Sequence, residues 1–175
     1  MKNKKFGLSA ILAIVIGVVV LAGDLLSKYL IEASMMEGEV ASFLPGFMNI
    51  IVVHNNGAAW GSFAGKQVML IVLTFILIAI FLAFYIVKSI KSTKPVSVTL
   101  GVAVGLIAGG CFGNLYDRLV FGYVRDFLNF EFMNFPVFNI ADTALCVGIV
   151  VLCVYFIFIY SREGKKEKPE KKDNE

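Results

Sequence analysis

The chain has 175 residues, 58% of them hydrophobic and 17% charged, with a mean hydropathy of +0.81 and a formal net charge of +3. Soluble domains run at about 45–50% apolar and about 25% charged residues, so an ordinary water-soluble globule is excluded. The positive charge comes mostly from the ends of the chain and not from one basic face, and no nucleic-acid partner is expected.

Four apolar runs are each long enough to cross a bilayer, for which a helix rising 1.5 Å per residue needs about 20 residues. Lipid offers no hydrogen bonds to the backbone, so these runs must be helical. The first, FGLSAILAIVIGVVVLAG (6–23), continues through DLLSKYLI to Ile31. MKNKK before it resembles the start of a signal peptide, but the apolar core exceeds the usual stretch of about 7–15 residues. Asp24 also stands where a lipoprotein cleavage box would need cysteine, so the run is read as a retained span. Asp24 and Lys28 are four apart on one helix face, where opposite charges partly neutralise each other. The pair reads as a structural device that sets helix depth, with a second role left open for Asp24.

The connection 32–66 contains FMNIIVVH, whose β-branched and aromatic residues predict a short strand over Phe47–Val53. Asn55-Asn56-Gly57 is then expected to turn the chain, because Asn and Gly tolerate positive φ. Trp60 and Phe63 beyond it suit a membrane interface. The loop HNNGAAWG (54–61) reads either as a turn with an aromatic anchor or as a platform over a site. His54 is the only histidine and has no second histidine or cysteine at ligand spacing, so no metal site is expected.

The second span covers 67–87 and the third 95–116. Gly105, Gly109, Gly110 and Gly113 in the third permit close helix approach. At its end Asn114, Asp117 and Arg118 lie within about one turn, with Asn114 and Arg118 on a shared face. Asp117 and Arg118 read as a capping pair, or Arg118 as a fixed guanidinium able to hold a peptide carbonyl or carboxylate. The connection 117–134 carries Asp126 directly after Arg125. The fourth span, 136–160, holds Asn139 and then Asp142 about a turn into its helix. Cys111, Cys146 and Cys153 all fall inside spans without a CxxC pattern and are read as core packing.

Residues 1–160 thus form one four-helix membrane domain, and the mixed-charge tail 161–175 is expected to be disordered. Lysines and arginines cluster before span one, between spans two and three and after span four, so both termini should be cytoplasmic. The two connections rich in carboxylates then lie outside. All the polar clusters fall toward that outer half, although a charge within a span costs about 2.5–3.5 kcal/mol at its centre.

Two carboxyl groups brought close together cannot both ionise easily, so one keeps a proton. The ionised one can take a proton from water while the other polarises an amide carbonyl, and no nucleophilic side chain is needed. Asp126 and Asp142 could do this if they meet. As isolated residues they also fit helix caps, arginine partners or an ion path. A small transporter would spread such groups through membrane depth, which spans two to four do not.

Taken in order, Asp24-x-x-x-Lys28, NNGAAW (55–60), GNLYDR (113–118), VRDF (124–127) and FNIAD (138–142) resemble bacterial prolipoprotein signal peptidase, signal peptidase II. The resemblance runs from Phe6 to Tyr160. Trp60 stands where phenylalanine is usual, and neither D-T-G nor G-x-G-D of other aspartic proteases is present. The resemblance implies an all-α membrane protein of four transmembrane helices with a small extracytoplasmic β-cradle, in the bacterial plasma membrane. It implies an aspartic endopeptidase without cofactor or metal, which cuts diacylglyceryl-modified prolipoproteins before the lipidated cysteine. Asp126 and Asp142 would be its catalytic dyad. Asn55, Gly57, Asn114, Arg118 and Asn139 would surround the substrate, supported by Asp24, Lys28 and Asp117. Membrane lipids and the inhibitor globomycin are the other implied partners.

Overall fold

The computed structural model describes residues 7–58, 62–92 and 95–160. Trp60, Lys94 and the tail lie outside them. Four helices, α1 (Leu8–Ser34), α2 (Gln67–Lys91), α3 (Val98–Val120) and α4 (Ile140–Val154), account for most of the chain. A π-helical turn, Tyr155–Tyr160, extends α4, so that all four elements are long and apolar enough to cross a membrane. The helices overrun their apolar windows at polar ends, because a helix continues into the interface wherever its backbone bonds are made internally.

Helix α3 is the hub. In its apolar window 67% of residues are buried, against 11% in α2 and 17% in α1 and α4, whose remaining apolar surface suits lipid. The reason is a glycine at every fourth position, Gly101, Gly105, Gly109 and Gly113, which clears one stripe of the helix. A Cβ on Gly101 would run into Ser9, one on Gly105 would lie 2.7 Å from Ala13 O, and one on Gly109 2.7 Å from Gly17 O. The backbones of α1 and α3 therefore pack directly, in parallel. Gly110 and Gly148 do the same between α3 and α4, against Ala141 and Ile107. Helix α2 joins through Ile78, which packs with Ile107, Cys111 and Leu115.

A three-stranded antiparallel sheet, β1 (Val40–Leu44), β2 (Met48–Asn55) and β3 (Val124–Phe130), caps one end of the bundle in the order β1-β2-β3. The expected strand is thus one of three. Leu44-Pro45-Gly46-Phe47 turns β1 into β2, closed by Phe47 N–H to Leu44 O at 2.9 Å, with Gly46 at φ +76°. Pro second and Gly third is the signature of a type II turn, which needs positive φ at the third residue. Gly122, at φ +81°, ends α3, and β3 begins two residues later. Beyond β3 the chain folds back: Phe138 exchanges backbone bonds with Leu128 at 2.8 and 3.0 Å. That return delivers Asn139 to the side of β3 and starts α4 there.

Two expectations change. Asn55-Asn56-Gly57 is organised by a side chain: Asn55 Oδ1 accepts Gly57 N–H at 2.9 Å, and positive φ occurs later, at Phe63 and Gly65. An Asx turn gives the chain reversal that backbone freedom was expected to give. Cys111 is buried, but Cys146 and Cys153, seven apart, lie exposed on the outer face of α4. The face they share is the one turned away from α3, so they do not pack in the core.

Candidate active site

Asn139 is the N-cap of α4 and sets the geometry. Its Oδ1 accepts Asp142 N–H at 2.9 Å while its own N–H donates to Asp142 Oδ2 at 3.2 Å, a reciprocal capping box. Its Nδ2 then donates to Asp126 Oδ1 at 2.6 Å. One asparagine therefore touches both carboxyl groups, the first in α4 and the second in β3. Each remaining oxygen also meets an asparagine. Asn55 Nδ2 donates to Asp126 Oδ2 at 2.8 Å, and Asn114 Nδ2 to Asp142 Oδ1 at 2.7 Å.

Asn114 is held in that orientation from behind. Lys28 Nζ and Asn139 Nδ2 both donate to its Oδ1, at 3.2 and 3.0 Å, so its amide nitrogen must face Asp142. Lys28 in turn sits between Asp24 Oδ2 at 2.7 Å and Asp117 Oδ2 at 3.0 Å, all three side chains at 0% exposure. Asp24 Oδ1 accepts Ala141 N–H at 2.9 Å, satisfying another free donor at the start of α4. The close approach at Gly113, where a Cβ would fall 2.5 Å from Asp24 Oδ2, lets this cluster fit between three helices.

All ten residues singled out in the sequence come together, with one exchange of partners. Asp117 does not pair with Arg118. It accepts from Arg125 instead, through the backbone N at 3.0 Å, Nε at 3.2 Å and Nη2 at 2.7 Å. Adjacent helical residues point about 100° apart, so Asp117 faces the sheet while Arg118 faces the loop. There Arg118 Nη2 donates to Gly57 O at 3.3 Å, and its buried Nε has no partner among the described residues. Arg125, Glu32 and His54 were not candidates. Arg125 also donates to Glu32 at 3.0 Å, and His54 meets the same glutamate at 3.0 Å. The available signal was the pairing of VVH with VRD across two strands, which sequence alone does not align.

Asp126 is 3% exposed. Burial, with the nearby charge of Asp142 adding to it, pushes its carboxyl from the ordinary 3.8 up to about 7. Arg125 beside it behaves in the opposite way. Burial alone would lower it, but its bonds to Asp117 and Glu32 outweigh burial and hold the guanidinium charged. A cleft of about 360 Å³ opens over Asp126, walled by His54, Asn55, Gly57, Phe135 and Pro136. The arrangement therefore holds two carboxyl groups by neutral donors, with Asp126 on the wall of that cleft.

The family model described as Signal peptidase (SPase) II matches residues 15–158. A lipoprotein signal peptidase of Enterococcus faecalis is 35% identical over 144 residues, 82% of this chain and 85% of that one. One from Staphylococcus aureus is 34% identical over 157 residues, 89% of this chain and 93% of that one. Two solved bacterial membrane enzyme structures superpose on the fold. One has a TM-score of 0.75 at 30% identity, covering 91% of this chain and 93% of its own. The other has a TM-score of 0.73 at 32% identity, covering 84% and 93%. With motifs, fold and relatives in agreement over nearly its whole length, the chain belongs to the signal peptidase II family.

Proposed function

We propose that this lipoprotein signal peptidase is an aspartic endopeptidase in which Asp126 and Asp142 activate water. Its substrates are prolipoproteins already carrying diacylglyceryl on the cysteine that follows the cleaved bond. The observation that carries the reading is that all four carboxyl oxygens accept from asparagines and none is paired to a cation among the described residues. A neutral donor orients a carboxyl group without fixing its charge, so a proton can be gained and lost there during turnover.

The ionised carboxyl takes a proton from water, whose oxygen attacks the scissile carbonyl carbon. The protonated carboxyl gives its proton to the carbonyl oxygen as the tetrahedral intermediate forms. Collapse breaks the C–N bond: the proton taken from water passes to the leaving nitrogen, and a hydroxyl proton of the intermediate returns to the carboxyl group that had given one as the C=O reforms. The products are a signal peptide with a new carboxylate and a lipidated cysteine with a free amine. The proton state belongs to the pair and not to either residue. Arg118 Nε, buried and without a partner among the described residues, supplies a donor for a peptide carbonyl beside the loop at Gly57.

A signal peptide in the bilayer can approach sideways between lipids, and its cleavage site lies near the interface. This fits a site at the helix ends, under the sheet, on the outer side of the plasma membrane with both termini cytoplasmic. Globomycin would compete for the same cleft. The test is a gel-shift assay in detergent with a diacylglyceryl-modified prolipoprotein. Wild type should release the signal peptide, globomycin should block it, and Asp126→Asn and Asp142→Asn should insert and fold but not cleave. Substantial turnover by either variant would sink the dyad.

A further inference from the structure

Successive side chains leave a strand on opposite faces, and β2 and β3 pair with His54 opposite Arg125. Asn55 and Asp126, one residue further along each strand, hydrogen-bond to each other on the side of the reacting groups. His54 and Arg125 turn the other way, onto the end of α1, where Glu32 receives both. Its Oε2 lies 3.0 Å from Arg125 Nη1 and its Oε1 3.0 Å from His54 Nε2. The chain of contacts continues at both ends. Arg125 reaches buried Asp117, and His54 Nδ1 reaches Glu37 at 3.1 Å. Side-chain exposure rises along it from 0% at Asp117 through 8% at Arg125 and 28% at Glu32 to 60% at Glu37. The groups facing the His54 ring are Glu32 from α1, Glu37 from the segment after it, Tyr123 just before β3 and Arg125 within it.

We propose that Glu32 is a positioning residue, which through Arg125 and His54 clamps the β2–β3 pair to α1 and so fixes Asp126 against Asn139. The two clamped residues are the immediate chain neighbours of Asn55 and Asp126. The backbone of Arg125 is also held at both its groups, N–H by Asp117 at 3.0 Å and C=O by Asn139 Nδ2 at 3.3 Å. A shift of the clamp therefore moves Asp126 relative to α4, which carries Asp142. Glu32 touches no reacting atom, and its role rests on the dyad reading.

The test uses the full chain in detergent with a diacylglyceryl-modified prolipoprotein, measuring kcat, KM, the pH profile and Tm. Glu32→Ala should lower kcat about tenfold with KM within about twofold, since misplacing a catalytic group by 1 Å can cost up to about a hundredfold. Its alkaline limb should also move to lower pH, because water admitted to Asp126 relieves the burial that holds its proton. Glu32→Gln, which still accepts from Arg125, should fall between Ala and wild type. His54→Gln, at a residue that is 25% exposed and also borders the cleft, should show the same shift to a smaller degree with KM within about twofold, and decides the matter if Glu32→Ala does not fold. Wild-type kcat and an unmoved limb in the folded variants would overturn the clamp, as would a loss that only tracks the folded fraction. Asp126→Asn run alongside separates the two readings. If it cleaves, the dyad fails and the clamp with it; if it is dead while the Glu32 and His54 variants match wild type, the clamp alone fails.

Discussion

Replacing Asp126 by asparagine should abolish cleavage, yet above neutral pH it should leave the folded protein more stable than wild type. The carboxyl is raised from 3.8 to about 7 by burial and the neighbouring Asp142. Between those values the folded state keeps a proton that the unfolded chain has released, so stability falls as pH rises through that window. Roughly three units at about 1.4 kcal/mol each give a penalty of about 4 kcal/mol, complete above pH 7. Asparagine does not ionise and escapes it. Against this, Asn139 and Asn55 both donate to Asp126, at 2.6 and 2.8 Å, and an amide offers only one acceptor. The displaced donor costs about 1–3 kcal/mol at any pH. The variant should therefore be less stable than wild type at pH 4.5 and more stable, by about 1–3 kcal/mol, at pH 8. Thermal unfolding followed by circular dichroism in detergent at the two pH values checks this. Tm curves that run parallel, without crossing, would mean that Asp126 is not held protonated by its surroundings.

Other substitutions test the frame around the pair. Asn139→Ala removes the bond to Asp126 and the capping box with Asp142, and should lower kcat at least a hundredfold while costing α4 about 1 kcal/mol, read by assay and Tm together. Gly113→Ala places a methyl group 2.5 Å from Asp24 Oδ2 and 3.1 Å from Ala141 Cβ, and should cost about 1–3 kcal/mol; a Tm equal to wild type would show that α3 and α4 can part. Lys28→Met leaves Asp24 and Asp117 without their shared cation and should cost about 3–5 kcal/mol, with cleavage lost because Asn114 is no longer turned toward Asp142. Wild-type turnover by that variant would separate the buried ion cluster from the site.

The helices were legible because lipid forces backbone self-sufficiency on any apolar run, and the site residues because a charge inside such a run needs a reason. Asn114, Arg118, Asn139 and Asp142 could be marked on those grounds, and the family motifs then gathered them with Asn55 and Asp126. The strands were harder. Val124–Phe130 alternates, but Arg125, Asp126 and Asn129 disguise it, and its pairing with β2 depends on a register set by residues far away in the chain. For the same reason the partner of Asp117 was misread: spacing pointed to its neighbour Arg118, whereas the sheet brings Arg125 closer. Gly105 and Gly109 announced close packing, but the stripe begins at Gly101, and only its contacts with Ser9, Ala13 and Gly17 show that α1 is the helix it receives.

The structure sorts four aspartates by the company they keep. Asp24 and Asp117 are fully buried and lie within ion-pair distance of Lys28, and Asp117 also of Arg125. Breaking such a buried pair by removing one partner is costly, which suits a frame. Asp126 and Asp142 lie one layer closer to the cleft and are held by asparagine amides and backbone, which supply direction without charge. Burial then acts on Asp126 unopposed by a contacting cation, and its proton becomes available near neutral pH. Lys28 links the two layers: it neutralises the frame and, by donating to Asn114, aims the amide that holds Asp142. A membrane protein has little water with which to solvate a misplaced carboxyl group. Stabilising two of them with ions lets the other two be left for chemistry.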